Sequence, residues 1–118
     1  MFTNLKKNNQ PFIIAEVGQN HQGDLDLARE YIKVFAAEGA DAVKFQTRNN
    51  KYLFSETAYL APYTSENAFA YTYGEHREKL ELKPEWLPIL KQDCVKYDVK
   101  FMSTPFDEPS LDLLKEID

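Results

Sequence analysis

Apolar positions along this chain alternate between two spacings. Short apolar runs at residues 12–17, 41–46 and 99–103 read as strands. The segments that follow them carry apolar residues at helical spacing. Asp24 is a fair N-cap for a first helix running to about residue 38. Its Leu25, Ala28, Tyr31, Ile32 and Phe35 would face a sheet, and Gly39 stands where a left-handed C-terminal cap is expected. A second helix begins near Pro84, a residue that suits a first turn, unless Pro88 starts it or distorts that turn. Leu87, Leu90, Cys94 and Tyr97 continue one apolar face. Asp107 or Glu108 caps a third helix, with Pro109 in its first turn and Leu111, Leu114 and Ile117 on one side.

Strand, loop, helix, repeated three times, defines an α/β chain of parallel (β/α) units with right-handed crossovers. Two stretches stand outside that pattern. Residues 1–10 are polar and end in a turn-like lead-in, Asn8-Asn9-Gln10-Pro11. Residues 47–82 have no clear period and carry Tyr52, Phe54, Tyr59, Tyr63, Phe69, Tyr71 and Tyr73. An insert of that length in a compact domain is functional or holds short elements of its own.

Strand side chains alternate between two faces. Ile14 and Glu16 share a face, opposite Ile13, Ala15 and Val17. Ala42, Lys44 and Gln46 share one, opposite Val43 and Phe45; Met102 and Thr104 share one, opposite Phe101 and Ser103. One face of each strand is apolar or small and suits packing against helices. The other ends in a polar group. If these faces point into a barrel, Glu16, Lys44, Gln46 and Thr104 converge at its C-terminal mouth, where barrel active sites are built. A buried charge needs a partner or a wet, ligand-occupied site. Glu16 and Lys44 therefore either pair as a strand-end salt bridge or belong to a site.

Composition narrows the function. The chain has 118 residues, 43% hydrophobic and 28% charged, which is globular rather than disordered. A net charge of -5 argues against nucleic acid or an anionic membrane surface as partner, though not against a local anion pocket. One cysteine, Cys94, excludes an internal disulfide and falls in a helical core pattern, with a catalytic thiol as the sharper reading. No apolar stretch approaches the roughly 18–20 residues of a membrane span, and no signal-peptide core follows the N-terminus. The expectation is a cytoplasmic protein.

Four motifs resemble the sialic acid synthase (N-acetylneuraminate synthase) family. They are Ile14-Ala15-Glu16-Val17-Gly18-Gln19-Asn20-His21-Gln22-Gly23, Val43-Lys44-Phe45-Gln46-Thr47, Tyr73-Gly74-Glu75-His76-Arg77 and Ser103-Thr104-Pro105-Phe106-Asp107. The resemblance implies that residues 1–118 are the first three units of a (β/α)₈ TIM barrel, with the remaining units and a small antifreeze-like domain following. It implies condensation of phosphoenolpyruvate with an N-acetylhexosamine such as N-acetylmannosamine. It also implies a divalent metal, manganese or magnesium, whose ligands are expected beyond residue 118, so that the isolated chain would be inactive. By the same resemblance Glu16 and Lys44 are catalytic, and Lys44, Gln46, Thr104, Asn67, His76 and Arg77 bind substrate.

Alternatives remain at several positions. His21 is a ligand or proton carrier, or it anchors the backbone of its Gly-bounded loop. His76 and Arg77 contact an anionic substrate or stabilise their own loop. A second reading makes Lys44 a Schiff-base nucleophile of an aldolase-type barrel. A third reading makes a three-unit piece alone a non-catalytic assembly module. Its open sheet edges lead to the expectation of homo-oligomers.

Overall fold

Phe45 lies at the centre of the protein, fully buried, on the middle strand of a three-stranded parallel sheet. The computed structural model describes residues 10–117; Asn8 and Asn9 of the lead-in, and Asp118, lie outside the described residues. The strands are β1 (Ile14–Gly18), β2 (Ala42–Thr47) and β3 (Lys100–Pro105), in the order β1-β2-β3. Parallel neighbours need a crossover, and each crossover here carries helix, as the alternating pattern requires. The fold class is thus α/β, three (β/α) units of a TIM-type barrel.

Helix α1 (Leu25–Ala37) starts at Asp24, whose carboxylate accepts from the Leu27 amide. It buries Ala28 and Ile32 against the sheet, with Leu25, Tyr31 and Phe35 packed alongside. Val17, Val43 and Phe45 meet them from the strands, and Phe45 stacks on Phe101 at 5.9 Å. The helix before β3 begins with a 3₁₀ turn at Pro84–Trp86 and continues as α5 (Leu87–Lys96), so Pro88 sits within a first turn that needs no amide from it. Leu87, Leu90 and Cys94 are buried, and burial pushes the Cys94 thiol up to about 12. A thiol so protected is a core residue, not a nucleophile. A bidentate pair from Arg29 to Asp93, at 2.7 and 3.2 Å, clips α1 to α5.

Helix α6 (Glu108–Glu116) is capped by Asp107 rather than Glu108; the Asp107 carboxylate accepts from the Ser110 amide at 2.8 Å. Its inward face runs through Ser110, Leu113, Leu114 and Ile117. Leu111 lies to one side of that stripe and is 42% exposed, against the expectation that it packs.

The aperiodic insert is not structureless. It holds three short helices, α2 (Asn50–Leu53), α3 (Glu56–Leu60) and α4 (Tyr73–Leu80). Each is started by a capping side chain, Asn49, Ser55 and Thr72 in turn, that accepts from a backbone amide in the first turn. The first two are too short to show a helical period. The aromatic residues knit them together: Tyr73 meets Phe54 and Tyr63 edge-on, at 5.1 and 5.6 Å. Among the described residues, no helix is long and apolar enough to cross a membrane.

Candidate active site at the strand tips

Register places the polar side chains in two cross-strand rows. Glu16, Lys44 and Met102 are aligned across the sheet, and Gln46 is aligned with Thr104 one step nearer the C-terminal ends. All five share the face opposite the helices. Lys44 Nζ lies 2.7 Å from Glu16 Oε2, so the strand-end ion pair forms. Both side chains keep substantial exposure, 33% for Lys44 and 43% for Glu16. This is a wet pair at a mouth, accessible to a ligand, and not a sealed buried bridge.

The first strand departs from simple alternation. A bulge between Glu16 and Gly18 ends β1, and Gly18 adopts φ +58. Any side chain at Gly18 would enter space that Glu16 Oε1 and Gln46 Nε2 already border, at 3.4 and 3.5 Å. The carboxylate and the amide thus converge on one spot beside the bulge.

Two residues that the motifs did not single out complete the wall. Arg48 follows β2 and donates from Nη2 to Gln46 Oε1 at 2.9 Å, while its guanidinium lies 3.7 Å from the centre of the Phe106 ring. Glu81 follows α4. It accepts from the Arg48 amide and from Gln19 Nε2, each at 3.2 Å, and so joins the first loop to the end of β2. Burial pushes the Glu81 carboxyl up to about 7. Burial and the neighbouring Arg77 lower Arg48. Arg48 was detectable in the sequence as the continuation of the Lys44–Gln46 parity beyond the strand. Glu81 carried no such signal, because its place depends on a turn of chain that only the fold defines.

His21 is a loop anchor. It is fully buried beside Phe45, and its Nδ1 accepts from the Gly23 amide at 3.0 Å. Burial lowers its pKa to about 4. The folded protein therefore holds His21 neutral while the unfolded chain takes up a proton below about 6.5. Its contribution is complete above pH 6.5 and is lost as the pH falls towards 4. A thermal-melt series should show this acid limb in the wild type, and His21→Gln should flatten it; an unchanged profile would rule the anchor out.

His76 is also committed to its own loop. It is 6% exposed, accepts from the Phe69 amide through Nδ1 and lies against Tyr63 at 4.4 Å. Its imidazole nonetheless forms part of a cavity of about 600 Å³ with Gln19, Asn20, Asn67 and Phe69. Asn67 is exposed at that cavity's rim, apart from the strand tips. Arg77 faces the Arg48 and Glu81 region, with its Nε buried and unpartnered among the described residues. The described residues contain no group of three His, Cys, Asp or Glu side chains able to hold a metal ion. Both imidazole Nδ1 atoms already accept backbone amides, so these residues do not fit the implied metal.

Parallel β/α units with a carboxylate, an ammonium, an amide and a hydroxyl gathered on the strand tips define a segment of a (β/α) barrel. A NeuB family model matches residues 31–118, and the chain belongs to the NeuB family. It is 39% identical over 106 residues to the N-acetylneuraminate-9-phosphate synthase of Homo sapiens, covering 90% of this chain and 30% of that protein. It is 44% identical over 104 residues to the N,N'-diacetyllegionaminic acid synthase of Legionella pneumophila, covering 87% of this chain and 29% of that protein. The crystal structure of an N-acetylneuraminic acid (sialic acid) synthetase from Leptospira borgpetersenii, in complex with citrate, superposes with a TM-score of 0.72 at 36% identity. That match covers 92% of this chain and 34% of that one. The chain thus spans about 30% of the length of the curated relatives it matches.

Proposed function

We propose that this chain forms the N-terminal part of a sialic acid synthase-like enzyme that joins phosphoenolpyruvate to an open-chain N-acetylhexosamine, giving a nonulosonic acid and phosphate. The observation that carries the reading is the pair of rows Glu16–Lys44 and Gln46–Thr104 on one face, at the C-terminal ends of parallel strands. Membership of a family whose named relatives are synthases supports it.

Each side chain has a part suited to its chemistry. Lys44 brings a compact positive charge to an anionic group of phosphoenolpyruvate. Thr104 and the Gln46 amide donate hydrogen bonds beside it. Glu16, drawn towards Lys44, accepts from sugar hydroxyls and is placed for proton transfer. Asn67 and the cavity wall around it contact the sugar at its far end. In the reaction a bond forms between the methylene carbon of phosphoenolpyruvate and the sugar aldehyde carbon. Water then adds at the neighbouring cationic carbon, and phosphate leaves by C–O cleavage. The acid-base and anion-binding side chains above are the contribution of this chain; the remaining parts of the site come from the rest of the barrel.

The test is phosphate release by the full gene product, supplied with phosphoenolpyruvate and a panel of N-acetylated sugars, phosphorylated and unphosphorylated. One sugar should give phosphate together with an acid of matching mass. Absence of both with every sugar would refute the proposal.

A further inference from the structure

We propose that Arg48 is a positioning residue: it fixes which end of the Gln46 amide faces the site, so that Gln46 presents donors and not an acceptor. The inference rests on the function proposed above and names a determinant of substrate-anion binding outside the four motifs.

The argument begins from what a guanidinium is able to do. It donates hydrogen bonds and accepts none. The Gln46 side-chain atom 2.9 Å from Arg48 Nη2 must therefore be the carbonyl oxygen, Oε1. The two ends of a glutamine amide have nearly the same shape and opposite hydrogen-bonding character. Holding the oxygen at Arg48 turns the NH₂ group the other way, and Nε2 borders the space beside Gly18 that Glu16 Oε1 also borders. That orientation directs the NH₂ protons, and not the carbonyl oxygen, at the space beside Gly18.

Arg48 is itself well held. The Phe106 ring covers one face of the guanidinium at 3.7 Å, and the Arg48 amide is tied to Glu81 Oε1. Phe106 follows β3, and its own amide donates to the Thr47 carbonyl at 3.1 Å, so ring and guanidinium come from two chain segments locked together. No carboxylate forms an ion pair with Arg48 among the described residues. Gln46 is its side-chain acceptor. A free amide in this place would be able to rotate and offer Oε1 to a substrate anion, replacing an attraction by a repulsion.

The test uses three variants of the full gene product. Arg48→Met keeps the stem against Phe106 and removes the donors. Arg48→Lys restores a donor-only head. Gln46→Glu keeps a partner for Arg48 while removing the amide donors. Arg48→Met is expected to raise KM for phosphoenolpyruvate by about 10-fold or more with kcat within about threefold, the size expected when a buried donor is replaced by a mismatch. Arg48→Lys should recover most of that loss, and Gln46→Glu should be at least as impaired as Arg48→Met. A purely structural role for Arg48 would lower kcat through loss of folded enzyme and leave KM in place. A second reading does not depend on turnover. In ¹⁵N-resolved spectra the Gln46 side-chain NH₂ pair should move in Arg48→Met and return towards its wild-type position in Arg48→Lys. Wild-type KM in Arg48→Met, or an unmoved Gln46 NH₂ pair, would overturn the proposal. A wild-type enzyme silent with every sugar would instead count against the reaction, and the spectra would still decide the role of Arg48.

Discussion

Lys44→Met should lower kcat/KM for phosphoenolpyruvate by about 10²–10³-fold, the loss typical when a preorganised charge or donor is removed from a reacting centre. The same variant should shift stability by no more than about 1 kcal/mol, because exposed or half-exposed ion pairs are worth that much or less. The two expectations come from one geometry. Lys44 and Glu16 touch at 2.7 Å but remain 33% and 43% exposed, so water replaces either partner when the other is lost. A salt bridge whose purpose was structural would show the opposite pattern: a loss of stability, and recovery in the charge-free double variant Lys44→Met with Glu16→Gln. Urea melts and phosphate-release kinetics on the single and double variants separate the cases. A double variant with near wild-type turnover would remove Lys44 and Glu16 from the chemistry.

Gly23→Ala should destabilise the fold by about 2–5 kcal/mol, combining left-handed backbone strain with overpacking. Gly23 has φ +71, and a methyl group there would lie 2.1 Å from the Lys79 carbonyl oxygen, a main-chain atom that has no side-chain freedom to move aside. Gly39→Ala is the control. Gly39 has φ +90 and open space around its Cα, so the strain is present without the collision, and the cost should stay near 1–2 kcal/mol. The difference between the two midpoints measures how tightly the first loop is pressed onto the end of α4. Equal effects at the two glycines would show that the contact yields. The Gly23 variant should also loosen the Gln19–Glu81 hydrogen bond, which crosses the same junction.

The strands and the polar face were legible because β residues alternate strictly, and Lys44, Gln46, Met102 and Thr104 obey that alternation in the observed register. Glu16 was placed correctly although β1 ends in a bulge, because the irregularity comes after it. The insert was opaque for a physical reason. Helices of four and five residues complete too little of a turn cycle to print a period on the sequence, and only their caps, Asn49 and Ser55, announce them. The histidines stood open between a ligand and an anchor of their own loops, and in both cases one ring nitrogen serves to hold a neighbouring amide. Arg48 lies two positions beyond Gln46, just past the end of β2, where strand alternation no longer dictates the direction of a side chain.

The order of the strands across the sheet is the order of their synthesis. When β2 leaves the ribosome, its partner β1 is already available, and β3 in turn meets a β2 that is waiting. Among these three strands, none has to hold a place open for a later one to be inserted between it and its neighbour. The two polar rows therefore assemble from one side to the other as the chain lengthens, and the ion pair between Glu16 and Lys44 becomes possible before β3 exists. An arrested nascent chain that presents β1, α1 and β2 should already protect the amides of this first pair of strands, which makes the tip of β2 the foundation on which the rest of the mouth is laid.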